Sequence, residues 1–189
     1  MPKTCLRKWS ATRKPWHIRR MGKDMKQFVW VLLAAAGVQA FAGCSSSSAS
    51  TRAVSGKPAP DWTEPTADGT ALSLASLRGK PVYLNFFATW CGPCNEEAPY
   101  INEYQKKYRA QGLQIVGVDE MESKSDAKKF IDKYKLVYPA VIDDGRVGTQ
   151  YRVNGMPVHV FIDRSGTIKN IVVGEMNRSE IGSALQQIL

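Results

Sequence analysis

Val82-Tyr83-Leu84-Asn85-Phe86-Phe87-Ala88-Thr89-Trp90-Cys91-Gly92-Pro93-Cys94 is the stretch on which the fold turns. Val82 to Ala88 is a near-continuous apolar run, the pattern of a strand buried on both faces. Pro93 suits the first turn of a helix, where its missing N–H would have no partner anyway. Two cysteines separated by two residues therefore fall at a strand-to-helix junction. There they form a dithiol that can close and reopen with little backbone movement, a pattern that points to thiol–disulfide exchange. Zinc is the competing use of such a pair. A four-coordinate site needs two further Cys or His ligands, and beyond the leader and Cys44 the chain offers only His159. No metal and no other cofactor is expected.

Working outward, strand 82–88 leads to a helix from Pro93 to Ala110, with Ala98, Ile101, Tyr104 and Tyr108 near helical spacing. Gly112 ends it, and Leu113 to Val118 reads as a second buried strand. A helix from Ser125 to Tyr134 presents Ala127, Phe130, Ile131 and Tyr134 on one face. Ala140 to Ile142 is a short strand. Val158–Asp163 and Ile168–Val173 bracket Arg164-Ser165-Gly166-Thr167 as a hairpin. Asn177 caps a last helix with Ile181, Leu185 and Ile188 inward. Before the main strand, Ala67-Asp68-Gly69 marks the turn of an additional hairpin between residues 62 and 74. The expected class is α/β: a central mixed β-sheet flanked by helices, with an extra N-terminal β-hairpin.

The 189 residues carry a formal charge of +9, but the excess is local. Residues 1–43 hold nine of the 26 Lys and Arg and one of the 17 Asp and Glu, which leaves the remainder at +1. No basic stripe exists in the body to neutralise phosphates, so nucleic acid is not an expected partner. Phe28 to Ala42 is apolar apart from Gln39 and follows Lys23 and Lys26. It is shorter than the roughly 20 apolar residues of a spanning helix and reads as the core of a signal peptide. A signal peptide starting at Met21 or Met25 has ordinary proportions, which makes the translated start a position downstream of Met1. Phe41-Ala42-Gly43-Cys44 resembles a bacterial lipobox, with Phe41 where Leu is usual, and makes Cys44 the expected lipidation site. Simple secretion after Ala40-Phe41-Ala42 and an uncleaved anchor are the alternatives. The Ser-rich run 45–56 is a flexible tether. Three segments follow: leader and signal peptide 1–43, lipidation site and tether 44–56, folded domain 57–189.

The body resembles the thioredoxin superfamily, and within it the exported thiol–disulfide oxidoreductases of the TlpA/ResA type. The residues that carry the likeness are Ala59-Pro60-Asp61, the run Asn85 to Cys94, and Gly155-Met156-Pro157 before the strand ending Phe161-Ile162-Asp163. The resemblance implies a thioredoxin-like fold in which Cys91 is the nucleophile and Cys94 resolves the mixed disulfide. The helix N-terminus lowers the Cys91 thiol below its free value of about 8.5, and Cys94 is the less exposed of the two. It further implies that Gly92 and Pro93 set the dithiol geometry, that Trp90 shields one side, and that Pro157 is cis with Met156 pairing to substrate. Thioredoxin has a buried acid where this chain has Asn85, which cannot take a proton. Members like ResA carry a glutamate after the next strand, the place of Glu122, and a partly buried carboxylate there can shuttle the Cys94 proton. Asp119 and Glu120 are read as neighbouring loop acids, Glu96 and Glu97 as exposed acids of the first helical turn, and His159 as a satisfied, semi-buried histidine. The Gly-Pro pair goes with a potential near about −270 mV, that of a reductant. The implied partners are disulfide-containing proteins and a membrane electron donor, with cytochrome c maturation as an example of the use. Two other readings stand beside this one. A peroxiredoxin-like peroxidase shares the Ala-Pro-Asp pattern, but has Thr where this chain has Ala88. A copper carrier would use Cys91, Cys94 and His159.

Overall fold

The computed structural model describes residues 52–189. The leader, Cys44 and most of the Ser-rich run lie outside the described residues. Five strands form one mixed sheet: β3 (Val82–Phe87), β4 (Gln114–Glu120), β5 (Ala140–Asp143), β6 (Val158–Ile162) and β7 (Ile168–Val173), in the order β5-β4-β3-β6-β7. β3, β4 and β5 run parallel, while β6 and β7 add antiparallel strands. The extra hairpin, β1 (Thr63–Pro65) and β2 (Ala71–Ser73), forms its own two-stranded sheet. Gly69 takes φ +98° at its turn, and Thr66 forms an isolated bridge with Val141 of β5.

All six residues of β3 are buried, as its apolar run requires. Their alternation divides the core. Leu84 and Phe86 face one layer with Val116, Val118, Val160, Trp62 and Leu77. Tyr83 packs on the other face with Ile101, Ile115, Ile181 and Leu185. Phe87 shares that face and joins Cys91, Cys94, Ala98 and Phe130. Each fully buried Phe contributes about 1.5–3 kcal/mol, so the strand that leads into the dithiol is firmly anchored.

Helices α1 (Gly92–Tyr108), α2 (Lys124–Tyr134) and α4 (Arg178–Gln186) cover the Tyr83–Phe87 face. α2 starts earlier than its apolar pattern suggested, because Ser123 caps it by accepting the Asp126 N–H. Asn177 and Glu180 close a reciprocal capping box on α4. The sequence reading did not anticipate α3 (Arg146–Tyr151). It has six residues, too few for a visible period, and the buried Asp143 carboxylate holds its start by accepting the Val147 and Gly148 N–H groups at 3.0 and 2.7 Å. Leu74–Leu77, between the hairpin and β3, is a single 3-10 turn capped by Ser73.

Gly117 interrupts the apolar run of β4 for a packing reason. A Cβ there would lie 2.9 Å from Phe87 Cε1, so the glycine is what lets the Phe87 ring lie across β4. Phe87 in turn stacks on Phe130, with centroids 4.5 Å apart. Gly117→Ala overpacks this contact and is expected to destabilise the protein by about 1–3 kcal/mol, read as a lower urea midpoint at unchanged slope.

Candidate active site

Ala88 follows β3, and its carbonyl accepts the Cys91 N–H (3.1 Å) to form the turn into α1. Cys91 is the N-cap of α1, and its Sγ accepts the Cys94 N–H at 3.2 Å. Pro93 lies within the first turn, as expected. Cys91 and Cys94 are joined as a disulfide, with their Cα atoms 5.3 Å apart. The two are almost equally buried, 4% and 3% exposed, so Cys94 is not appreciably the more hidden in this oxidised state. Trp90 is 74% exposed and projects into solvent instead of closing over the disulfide. The Met156–Pro157 bond is cis, and Met156 packs against the cluster that contains both cysteines.

Asn95, passed over in the sequence, braces the turn. Its Nδ2 donates to the carbonyls of Thr89 (3.0 Å) and Cys91 (2.6 Å). Its Oδ1 accepts from Tyr134 Oη and Lys133 Nζ, which locks the start of α1 to α2. Glu122 reaches the same turn from the loop after β4. Thr89 donates its N–H to Oε2 and its hydroxyl to Oε1, both at 2.6 Å. The dithiol turn and Glu122 are thus one hydrogen-bonded unit.

Several expectations fail in burial. Glu97 is fully buried on α1, not exposed. It lies three residues after Cys94 and four before Ile101, on the inward face of the helix. Its Oε1 accepts the Met176 N–H at 2.8 Å, while Oε2 has no partner. Burial pushes its pKa up to about 7 against that hydrogen bond. His159 is fully buried, not half-buried. Its Nε2 donates to the Gly174 carbonyl (3.1 Å) and its Nδ1 accepts from Tyr83 Oη (2.7 Å), which fixes a neutral tautomer. Burial pushes the imidazole down to about 4. The 3.6 Å approach of Glu97 to His159 is therefore a contact between groups that resist charging, not an ion pair. Asp119 and Glu120 belong to β4 instead of a loop, and Asp119 is fully buried. Burial leads the causes that push each of the two up to about 8. Both ring nitrogens of His159 are engaged, and no three His, Cys, Asp or Glu among the described residues gather closely enough to hold a metal ion.

A dithiol at the N-terminus of a helix, at the end of the central strand of a mixed sheet and packed against a cis-proline segment, defines a thioredoxin-fold oxidoreductase. The profile of the AhpC/TSA family matches residues 55–171, and the chain belongs to that family. Within it, the thiol-disulfide oxidoreductase ResA of Bacillus cereus is 37% identical over 135 residues, 70% of this chain and 78% of the relative. ResA of Geobacillus thermodenitrificans is 36% identical over 159 residues, 84% of this chain and 90% of the relative. Among solved structures, a putative thiol:disulfide interchange protein DsbE from Chlorobium tepidum superposes with a TM-score of 0.64 at 34% identity, covering 70% of this chain and 98% of that one. A putative protein disulfide isomerase from Bacteroides thetaiotaomicron gives 0.66 at 34% identity, covering 71% and 87%. The chain is a thiol–disulfide oxidoreductase of the ResA/DsbE type, and its substrates contain disulfides.

The perturbed groups make stability depend on pH in a defined direction. Glu97 has a folded pKa above its unfolded value, so its contribution is complete below about 4.5 and is lost as pH rises through about 7. Asp119 and Glu120 act the same way up to about 8. His159 acts oppositely, since its contribution is complete above about 6.5 and is lost as pH falls through about 4. Above about pH 6.5 only the acids remain to titrate. The urea midpoint of the oxidised protein should therefore decline between about pH 6.5 and about 8.5, and Glu97→Gln should make the decline shallower. A midpoint that climbs across this window contradicts the assignment.

Proposed function

We propose that the protein reduces disulfides of exported proteins and works as a membrane-tethered domain, with Cys91 as nucleophile, Cys94 as resolving thiol and Glu122 as proton acceptor. The observation that carries this reading is the placement of Cys91 at the N-cap, where its sulfur already accepts the Cys94 N–H. The helix dipole and such donors favour a thiolate. The Cys91 thiolate attacks one sulfur of a substrate disulfide, forms a mixed disulfide and expels the other sulfur as a thiolate. Cys94, deprotonated with Glu122 receiving its proton, attacks Cys91 Sγ and releases the second substrate sulfur. The substrate gains two electrons and the protein closes its own disulfide.

Gly92 and Pro93 keep the loop between the sulfurs short, and Pro93 starts the helix without losing a hydrogen bond. Trp90 and Met156 border the dithiol. The exposed indole offers an apolar contact to an incoming chain, and the Met156–Pro157 segment offers backbone to pair with it. Export and tethering rest on the apolar run 28–42, on Cys44 and on the Ser-rich run that follows. A tethered reductant outside the cytoplasm needs a membrane protein that returns electrons to it, and apocytochrome c is a suitable class of substrate. The folded domain carries the chemistry and begins upstream of residue 57. Ala53 is buried in the core and donates its N–H to the Gln150 carbonyl (2.8 Å), and Gly56 donates to that of Ile168 (2.7 Å). The serines that precede it give it reach.

Direction is tested by the reduction potential. A value near about −270 mV supports a reductant, and one near about −120 mV reverses the reading. Cys94→Ser should accumulate mixed disulfides on Cys91 with substrate proteins, whereas Cys91→Ser should trap none and lose insulin reduction altogether. Tethering is tested separately. An alkyne fatty-acid label should appear on the protein and disappear in Cys44→Ser, and a secreted, unlabelled wild-type chain would falsify the anchor.

A further inference from the structure

The side-chain amide of Asn95 has every hydrogen-bonding position filled. Its Nδ2 gives one hydrogen to the Thr89 carbonyl (3.0 Å) and the other to the Cys91 carbonyl (2.6 Å). Its Oδ1 accepts from Tyr134 Oη (2.6 Å) and from Lys133 Nζ (3.1 Å). Two hydrogens and two lone pairs are all that a carboxamide has. The donor end faces the turn that carries Cys91, and the acceptor end faces α2. Lys133 Nζ also lies 4.7 Å from the centre of the Tyr134 ring. That ring packs on Phe130, which shares a cluster with both cysteines. A cation and a hydroxyl from α2 thus meet one end of an amide whose other end holds two carbonyls of the reactive turn.

Two effects follow at Cys91. The first is geometric. The Cys91 carbonyl accepts the Asn95 N–H (3.1 Å) as the opening bond of α1, so Asn95 grips it with backbone and side chain together. Through Thr89 the same amide holds the chain two residues before the sulfur. The entry of the chain into the helix is fixed, and with it the place of Cys91 Sγ against the Cys94 N–H, a donor that favours a thiolate. The second effect is electrostatic. A carbonyl oxygen is the negative end of a dipole, and one engaged by an N–H repels a nearby thiolate less. A cation on Oδ1 polarises the amide and strengthens both of its N–H donors.

We propose that Asn95 is a positioning residue that joins α2 to the dithiol turn and keeps the Cys91 sulfur where its thiolate is stabilised. The inference rests on Cys91 as nucleophile. It goes beyond that assignment by giving Tyr134 and Lys133 of α2 an influence on the sulfur through a single amide. No proton or electron passes through Asn95. The charged groups around the turn are Lys133 on α2, Glu122 bonded to Thr89, and Glu96 and Glu97 on α1 itself. Lys133 is the cation among these four, and Asn95 is what connects it to the turn. The residue type matters. Asp has the same shape and no hydrogen to give, and Ala has neither end of the amide.

Alkylation of Cys91 by iodoacetamide, followed against pH by mass spectrometry of the reduced whole chain, reads the acidity of that thiol. Asn95→Ala should raise the midpoint by about one pH unit, which leaves about tenfold less thiolate below it. Asn95→Asp should raise it further, because its carboxylate repels both carbonyls and the sulfur. Tyr134→Phe keeps the ring and removes one donor to Oδ1, and should give a smaller rise. A brace with no influence on the sulfur would lower the urea midpoint of these variants and leave the thiol unmoved. That result overturns the proposal, as does a smaller rise in Asn95→Asp than in Asn95→Ala. Should Asn95→Ala fail to fold, Tyr134→Phe decides alone. Wild-type alkylation that selects Cys94 over Cys91 sinks the nucleophile assignment. A Cys91-selective wild type with unmoved variants sinks the role of Asn95 and leaves that assignment standing.

Discussion

The hydrogen bond from the Cys94 amide to Cys91 Sγ is the contact on which the remaining architecture converges. A sulfur can cap a helix only if the chain enters that helix at a fixed angle. Here the angle is set on three sides. Ala88 closes the turn from β3, Asn95 ties the Thr89 and Cys91 carbonyls to α2, and Glu122 holds Thr89 from the end of β4. Each brace comes from a different element, so the reactive junction inherits the rigidity of the sheet and not that of a surface loop. The packing serves the same end. Phe87, the last residue of β3, lies over Gly117 and against Phe130, directly behind the cysteines.

Much of this was legible in the sequence because it rests on strong local signals. A run of apolar residues buried on both faces, an Asp-Gly turn, a Pro at a helix start and a Cys pair each have a small menu of structural uses. The order of elements, the extra hairpin and the site of the dithiol followed. What stayed hidden was set by side-chain contacts that leave no period in the sequence. α3 is held by Asp143, and six residues with a glycine among them carry no period. Asn95 and Thr89 look like ordinary polar residues until α2 and Glu122 arrive beside them. Glu97 is the instructive miss. Its charge suggested exposure, but its spacing from Cys94 and Ile101 placed it on the inward face of α1. The helical period was the better guide.

His159 and Asp119 carry the same lesson for β-strands. Alternation put both on faces that the helices cover, and a polar residue on such a face is buried whatever its chemistry. His159 is neutralised by having a partner for each ring nitrogen. Asp119 has no donor at all and can be neutral only by keeping its proton. The sequence contains both residue types in plain view, yet only the three-dimensional neighbours decide which is satisfied and which is left with an open demand.

That open demand bears on why the acids persist. Replacing a buried, donorless carboxyl with an apolar residue of similar size would ordinarily be neutral or stabilising. Glu97, Asp119 and Glu120 all stand with raised pKa values and with at least one unpartnered oxygen. Among the described residues no ion pair with Lys or Arg is formed by Glu97 or Asp119, although Arg146 pairs with the buried Glu64. Local consistency rules are broken most often where chemistry requires it. The fully buried central strand can carry the cost in stability that these buried acids impose.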